Sequence, residues 1–324
     1  MTQRQTAPFA DLPDPNTKDG TPRKTGVEIE FGALDERKSA EIVQDCLGGT
    51  INEKDAHSFR VEGSEIGTVK VYLDTAFRKD ADSKIAELGL DIGRVVVPVE
   101  IVTDPLEDMG PLNDLVTALR DAGAEGSGAG LLYGYGVHFN PEVAAMSVEH
   151  IVPIAKAYAL TEDFLRDVWP IDPSRHLLPF TDRYPTTYLD AIAGVDFPSL
   201  DAFMEAYLNT TPSRNRGLDL LPLLRAYDEE AFVAKLGNKP SVSARPTWHF
   251  RLPDCRIDEA DWSLAKEWRR WVFVEKLAAQ PKMLAELEEE WRAYRKTLLE
   301  TRSDWVERVR PIVSGLAEEV LGDV

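Results

Sequence analysis

Glu28, Glu30, Lys70, Asp74, Glu100, His138, Asn140, His249 and Arg251 are residue types that together could manage phosphate held by hard metal ions. Mg²⁺ and Mn²⁺ take oxygen ligands, and phosphate oxygens complete their shells. Glu28 and Glu30 stand two residues apart, so on a strand both reach the same ion, and Glu100 offers a third carboxylate from another segment. His249 can also ligate, and imidazole suits Mn²⁺ better than Mg²⁺. Arg251 carries a planar fork that grips phosphate bidentately. His138, Asn140 and Lys70 could add further polar contacts beside it. Each residue also has a plainer reading. Paired glutamates, or Lys70 with Asp74, suit a solvated strand face. A lone histidine is often a satisfied core residue, and Arg251 could close a structural salt bridge. Glu100 fits such a reading less well. It sits in the apolar run 95–102, where an unpaired carboxylate is costly.

Strands must position these groups. Five segments, 26–31, 69–74, 95–102, 136–140 and 247–252, carry polar and apolar residues in alternation. Side chains on a strand alternate faces with period two. Glu28 and Glu30 therefore oppose Val27, Ile29 and Phe31, while Lys70, Tyr72 and Asp74 oppose Val69, Val71 and Leu73. In the same way His138 and Asn140 oppose Val137 and Phe139, and His249 and Arg251 oppose Trp248 and Phe250. Helices are expected at 39–47, stopped by Gly48 and Gly49, and at 79–92, 111–122, 147–168, 199–208 and 218–227. A hairpin is expected within 59–73. From residue 258 onward the pattern is helical, and Trp262, Ala265, Trp268, Trp271 and Val272 suit core or a subunit interface. The glycine-rich stretch 123–136 reads either as a connector or as a backbone cradle for phosphate; it matches no P-loop or dinucleotide motif. Residues 1–24 are polar, with Pro13, Pro15 and Pro22, and read as a flexible leader.

A net charge of −19 over 324 residues argues against nucleic acid, whose affinity rests on Lys and Arg. It leaves room for a small anionic ligand, because bound cations can invert the field inside a cleft. Cys46 and Cys255 make no disulfide framework and no CxxC pair, which favours a reducing compartment. The first 24 residues lack the apolar core of a secretion signal, and no apolar run approaches a bilayer span. A soluble cytoplasmic protein with no membrane partner is the expectation. HExxH, GxSxG, Walker A and GxGxxG are all missing, which disfavours the chemistries those motifs serve.

In order along the chain, GVEIEF (26–31), LDTAF (73–77), VEIVTDPL (99–106), GVHFN (136–140) and TWHFR (247–251) resemble the motifs of the amidoligase family. That family belongs to the carboxylate–amine ligase superfamily, with glutamate–cysteine ligase and glutamine synthetase. The resemblance covers about residues 24 to 255. It implies an α+β fold: a curved, mainly antiparallel sheet with a polar concave active-site face, backed by helices, plus a helical C-terminal region. The implied layout is a leader at 1–24, a glutamine synthetase-like catalytic domain at 25–255 and a helical extension at 256–324. The implied reaction is ATP-dependent amide bond formation between an amino-acid-type carboxylate and an amine, through an acyl phosphate. A γ-glutamyl amide is the kind of product suggested. Glu28, Glu30 and Glu100 would hold Mg²⁺, with Mn²⁺ as the alternative. His138 and Asn140 would lie near nucleotide and metal, Arg251 at the transferring phosphoryl group, and Asp74 near the amine or a metal. The superfamily usually places Glu two residues before the arginine matched by Arg251. His249 stands there instead, which puts metal preference and activity in question. The alternatives are a non-catalytic nucleotide-binding or scaffold protein on the same fold, and a metal-dependent phosphohydrolase. Partners would be small-molecule substrates, with a homo-oligomer formed through the C-terminal helices.

Overall fold

The computed structural model describes residues 8–74, 97–130, 133–177, 181–239, 241–297 and 301–322. The strands are β1 (Thr25–Phe31), β2 (Thr50–Asp55), β3 (Ser58–Ser64), β4 (Gly67–Leu73), β5 (Val99–Thr103) and β6 (Val137–Pro141). They form one antiparallel sheet in the order β2-β3-β4-β5-β1-β6. The fold is therefore α+β, with an open antiparallel sheet and a C-terminal helical region.

The apolar side of the alternation is buried as expected. Val27, Ile29, Phe31, Val61, Val69, Val71, Ile101, Val137 and Phe139 are all sealed from solvent. Helix α1 (Glu36–Leu47) packs on β3 and β4. It starts at Asp35, whose side chain accepts from the Lys38 N–H at 2.7 Å, and stops at Gly48, whose φ of +73° suits glycine. Helix α2 (Leu112–Asp121) packs on α1 and buries Leu112, Leu115, Val116 and Leu119, one stripe of a 3.6-residue period.

Behind β6 lies a helical layer. Its long members are α3 (Val148–Val168), and α9 (Leu264–Ala278), α10 (Pro281–Tyr294) and α11 (Arg302–Leu321) from the C-terminal region. Between them come α4 (Pro173–Leu177), α5 (Thr186–Ile192), α6 (Leu200–Thr210), α7 (Leu221–Tyr227) and α8 (Glu229–Leu236). The tryptophan stripe is used inside the chain. The Trp268 ring sits 5.3 Å from Phe139, and Trp271 lies 5.5 Å from Trp248 and 5.4 Å from Phe250. It is core, so an interface role for it is set aside. No helix among the described residues is long and apolar enough to cross a membrane.

Four readings of the sequence need correction. Residues 247–252 form no strand: they join the β6 region through isolated bridges, Glu142 to Thr247 and Phe139 to Phe250, and through the Trp248 N–H, which donates to the Pro141 carbonyl. Their alternation survives, with Trp248, Phe250 and Leu252 sealed in the core. The edge strand β2 was not anticipated, because it is polar and half solvated on both faces. Residues 8–24 of the leader are docked rather than free. The Trp268 indole donates to the Ala10 carbonyl at 2.8 Å, and Arg23 makes a buried fork with Glu275 at 2.8 and 2.7 Å. The glycine-rich loop spends its amides internally, Gly126 N–H on Asp258 Oδ1 and Ser127 N–H on the Cys255 carbonyl, so it is no phosphate cradle there. The helix expected at 79–92 and the strand start at 95–96 lie outside the described residues.

One half-buried titratable group sits away from all this. His150 accepts the Ala144 N–H at Nε2, 3.1 Å, beneath Trp248. Burial holds its pKa down to about 4, with Arg23 pulling the same way and Asp14 opposing. A depressed histidine contributes stability above its unfolded pKa of about 6.5, and that contribution is lost as pH falls toward the folded value. Melting temperature is expected to fall more steeply from pH 7 to 5 in the wild type than in His150→Gln, whose amide oxygen can still accept. Parallel curves would show that His150 does not charge on unfolding.

Candidate active site

Register, more than any single segment, assembles the polar face. Across β1 and β5, Glu30 is paired with Glu100; across β1 and β6, Glu28 is paired with His138 and Gly26 with Asn140. Tyr72 on β4 is paired with Glu100, and Lys70 with Val102. Directly opposed residues of an antiparallel pair point to the same face. The result is a floor of carboxylates, imidazole and amide beneath a cavity of about 450 Å³. The nine residues singled out from the sequence all line this cavity. His249 and Arg251 enter it from the irregular 247–252 segment, where the bridges to β6 preserve the strand-like alternation.

The floor is tightly bonded. Nδ1 of His138 lies 2.7 Å from Glu28 Oε2, and Asn140 Nδ2 donates to Glu28 Oε1 at 3.0 Å. Since a carboxylate only accepts, Nδ1 of His138 carries the proton and Nε2 is turned toward Glu30, 3.8 Å away. The Gly136 N–H donates to Glu30 Oε2 at 2.7 Å. Two overlapping sets of groups could hold cations: Glu28, His138 and His249, and Glu30, Glu100 and His138. In each set the ligating atoms lie within 4.8 Å of one another.

Electrostatics divides the carboxylates. Burial raises Glu100 well above the usual range, and the charges of Glu28, Glu30 and Asp74 add to it. Burial also raises Glu30; the His138 charge opposes it and Asp74 reinforces it. At Glu28 burial pushes up as well, but the hydrogen bond and charge of His138, helped by His249 and Arg245, win and leave it lowered. Burial holds His249 down to about 4, against the pull of Asp219 and Glu28, so its ring stays neutral far below the pH near 6.5 at which a free imidazole charges. Burial lowers Arg251 too. Its Nη1 donates to the Arg214 carbonyl at 2.5 Å, its Nε has no hydrogen-bond partner, and among the described residues it forms no ion pair. The structural salt bridge considered for Arg251 is thus not what the fold provides.

Several lining groups were missed. Arg214, Asn215, Ser241, Ser243 and Arg245 come from loops with no periodic signal. Asp219, sealed behind His249, did carry one: a lone carboxylate between Leu218 and Leu220, the same anomaly that marked Glu100. Arg175 is fully buried and ties down the 251–253 backbone, donating to the Arg251 carbonyl at 2.8 Å and the Leu252 carbonyl at 3.0 Å. Cys255 is sealed in the core with its thiol pushed up by burial, and neither it nor Cys46 lines the cavity.

A family model described as "Putative amidoligase enzyme" matches residues 21–273, well over half of the chain. The match runs from the end of the docked leader through β6 and the 247–252 segment into α9. No curated protein and no solved structure matches the chain.

Proposed function

The chain belongs to the amidoligase family, and on that premise we propose that it is an ATP- and divalent-cation-dependent ligase joining an amino-acid-type carboxylate to an amine. One observation carries the reading. A single cavity has an acidic floor, Glu28, Glu30 and Glu100, and a guanidinium wall, Arg251 with Arg214 and Arg245.

The donor set suits cations. Carboxylates raised by burial and by mutual repulsion gain from positive charge beside them, and oxygen donors with a few imidazoles suit Mg²⁺ or, given His138 and His249, Mn²⁺. Glu28, Glu30, Glu100, His138 and His249 would hold them. Bound there, the cations would neutralise phosphate charge and draw nucleotide and carboxylate onto the floor. The buried guanidinium of Arg251, whose Nε has no hydrogen-bond partner, suits a transferring phosphoryl group, where charge stabilisation is the main catalytic contribution. In the reaction proposed, a carboxylate oxygen of the substrate attacks the γ-phosphorus and the bond to ADP breaks. The amine nitrogen then attacks the acyl carbon, phosphate leaves and the amine gives up a proton. Asp74, just past the end of β4 and lining the same cavity, would hold the ammonium group or take that proton, and Lys70 would meet the nucleotide phosphates. Asn140 holds Glu28 in place through the hydrogen bond already described.

The test is ADP release from ATP, screened over amino acids and amines with Mg²⁺ or Mn²⁺. Release is expected only when carboxylate and amine are both present. Phosphate release that does not wait for an amine would favour a phosphohydrolase, and none under any combination a non-catalytic binder.

A further inference from the structure

Asp219 touches no part of the cavity surface and is completely buried. It lies in the 217–221 stretch that runs beside the site segment. Its own N–H donates to the His249 carbonyl at 3.0 Å, the Arg251 N–H donates to the Gly217 carbonyl at 2.7 Å, and Leu218 bridges to Phe250. Its Oδ1 accepts the Leu221 N–H at 2.9 Å. Its Oδ2 lies 3.2 Å from Nδ1 of His249 and accepts from Arg214 Nε, also at 3.2 Å. Both oxygens thus accept, one from a backbone N–H and one from a guanidinium, as an ionised carboxylate does. An ionised carboxylate only accepts. Nδ1 of a neutral His249 must then carry the proton, and the lone pair sits on Nε2.

We propose that Asp219 is a positioning residue that fixes the tautomer and ring orientation of His249, presenting Nε2 to a divalent cation shared with Glu28 and His138. The inference rests on the cation reading given above. A carboxylate behind a ligating imidazole is a general device for making the imidazole a better ligand. Here it accounts for a fully buried carboxylate that contacts neither the cavity nor solvent. It also answers the departure at position 249: an imidazole can replace a carboxylate ligand only if its free nitrogen is held in the right form.

Asp219→Asn tests this because the neighbours dictate how the amide must lie. The Leu221 N–H requires an oxygen at the Oδ1 position, which puts NH₂ against His249 and Arg214. That NH₂ can only donate, so Nδ1 of His249 loses its proton and Nε2 gains it. In metal-free protein at pH 7.5, ¹⁵N-histidine spectra, assigned with His249→Gln, are expected to show protonated Nδ1 in the wild type and protonated Nε2 in Asp219→Asn. Calorimetry with Mn²⁺ alone is expected to show a loss of about 10- to 100-fold in affinity for Asp219→Asn. In a His249→Glu background, where no tautomer exists and the two carboxylates would repel, the same substitution is expected to cause no loss of affinity. Equal losses in both backgrounds would make Asp219 merely structural and overturn the proposal. So would a wild-type His249 with its proton on Nε2, a reading that needs no variant to fold. A wild type that binds no Mn²⁺ would remove the cation reading and this inference with it. Tight wild-type binding that is unchanged in Asp219→Asn would remove this inference alone.

Discussion

Glu100→Gln is expected to stabilise the metal-free protein and to abolish its stabilisation by divalent cations. Glu100 is buried among Glu28, Glu30 and Asp74, and its carboxyl is pushed well above the ordinary range by burial and by their charges. A carboxyl raised in the folded state favours folding fully only below its unfolded pKa. As pH rises through the folded value, that advantage is lost to repulsion. At pH 8 a neutral isostere removes the repulsion and can still bond to Tyr72, so the melting temperature of the metal-free variant should rise by roughly a few degrees. In the wild type, Mn²⁺ with a non-hydrolysable ATP analogue at about a hundred times Kd should add about 2.7 kcal/mol. The variant should gain little. The two curves therefore cross as cation is added. A variant less stable without metal, or one that keeps the full cation-dependent gain, would show that Glu100 is held by something other than a site for cations.

Turnover is expected to fall about a hundredfold in Arg251→Met, while the melting temperature holds or rises. The guanidinium is buried, its Nε is unpartnered and it forms no ion pair among the described residues, so the Asp219 and Glu30 carboxylates offset its charge without direct contact. Methionine keeps much of the stem's volume and removes that charge. The activity loss corresponds to about 3 kcal/mol of transition-state stabilisation, typical for removal of one pre-organised donor. Steady-state kinetics beside thermal melts decide the matter. A destabilised protein with undiminished kcat would return Arg251 to a structural role, with the Arg214 carbonyl as its partner.

Much of the site was legible because the chemistry sits on strands. Period-two alternation fixes which side chains share a face before any partner strand is known, and the polar faces here were filled with carboxylates, imidazoles, an amide and an arginine. Glu100 stood out for a related reason: an apolar run excludes a carboxylate unless something offsets its burial. The same reasoning applied to 217–221 would have drawn attention to Asp219. Arg214 and Arg245 were not legible, because loop residues have no period to break. The 247–252 segment shows the limit in the other direction. Its alternation is real, but a ladder needs a partner with matching free amides and carbonyls, and here much of that capacity goes to the 217–221 stretch.

By itself the sequence determined the apolar and polar faces of β1, β4, β5 and β6, the helices α1 and α2 with the glycine stop of α1, and most of the residues that line the cavity floor. These are local properties, set by backbone geometry and side-chain type. The tertiary structure alone decided the register that pairs Glu30 with Glu100 and Glu28 with His138, and so turned scattered carboxylates into one repelling cluster. It alone placed Asp219 behind His249 and left the Arg251 Nε without a hydrogen-bond partner. It also committed the tryptophan stripe to the chain's own core and docked residues 8–24 against it through Ala10 and Arg23. Burial and mutual repulsion depend on which distant segments meet, and no periodicity within one segment encodes that.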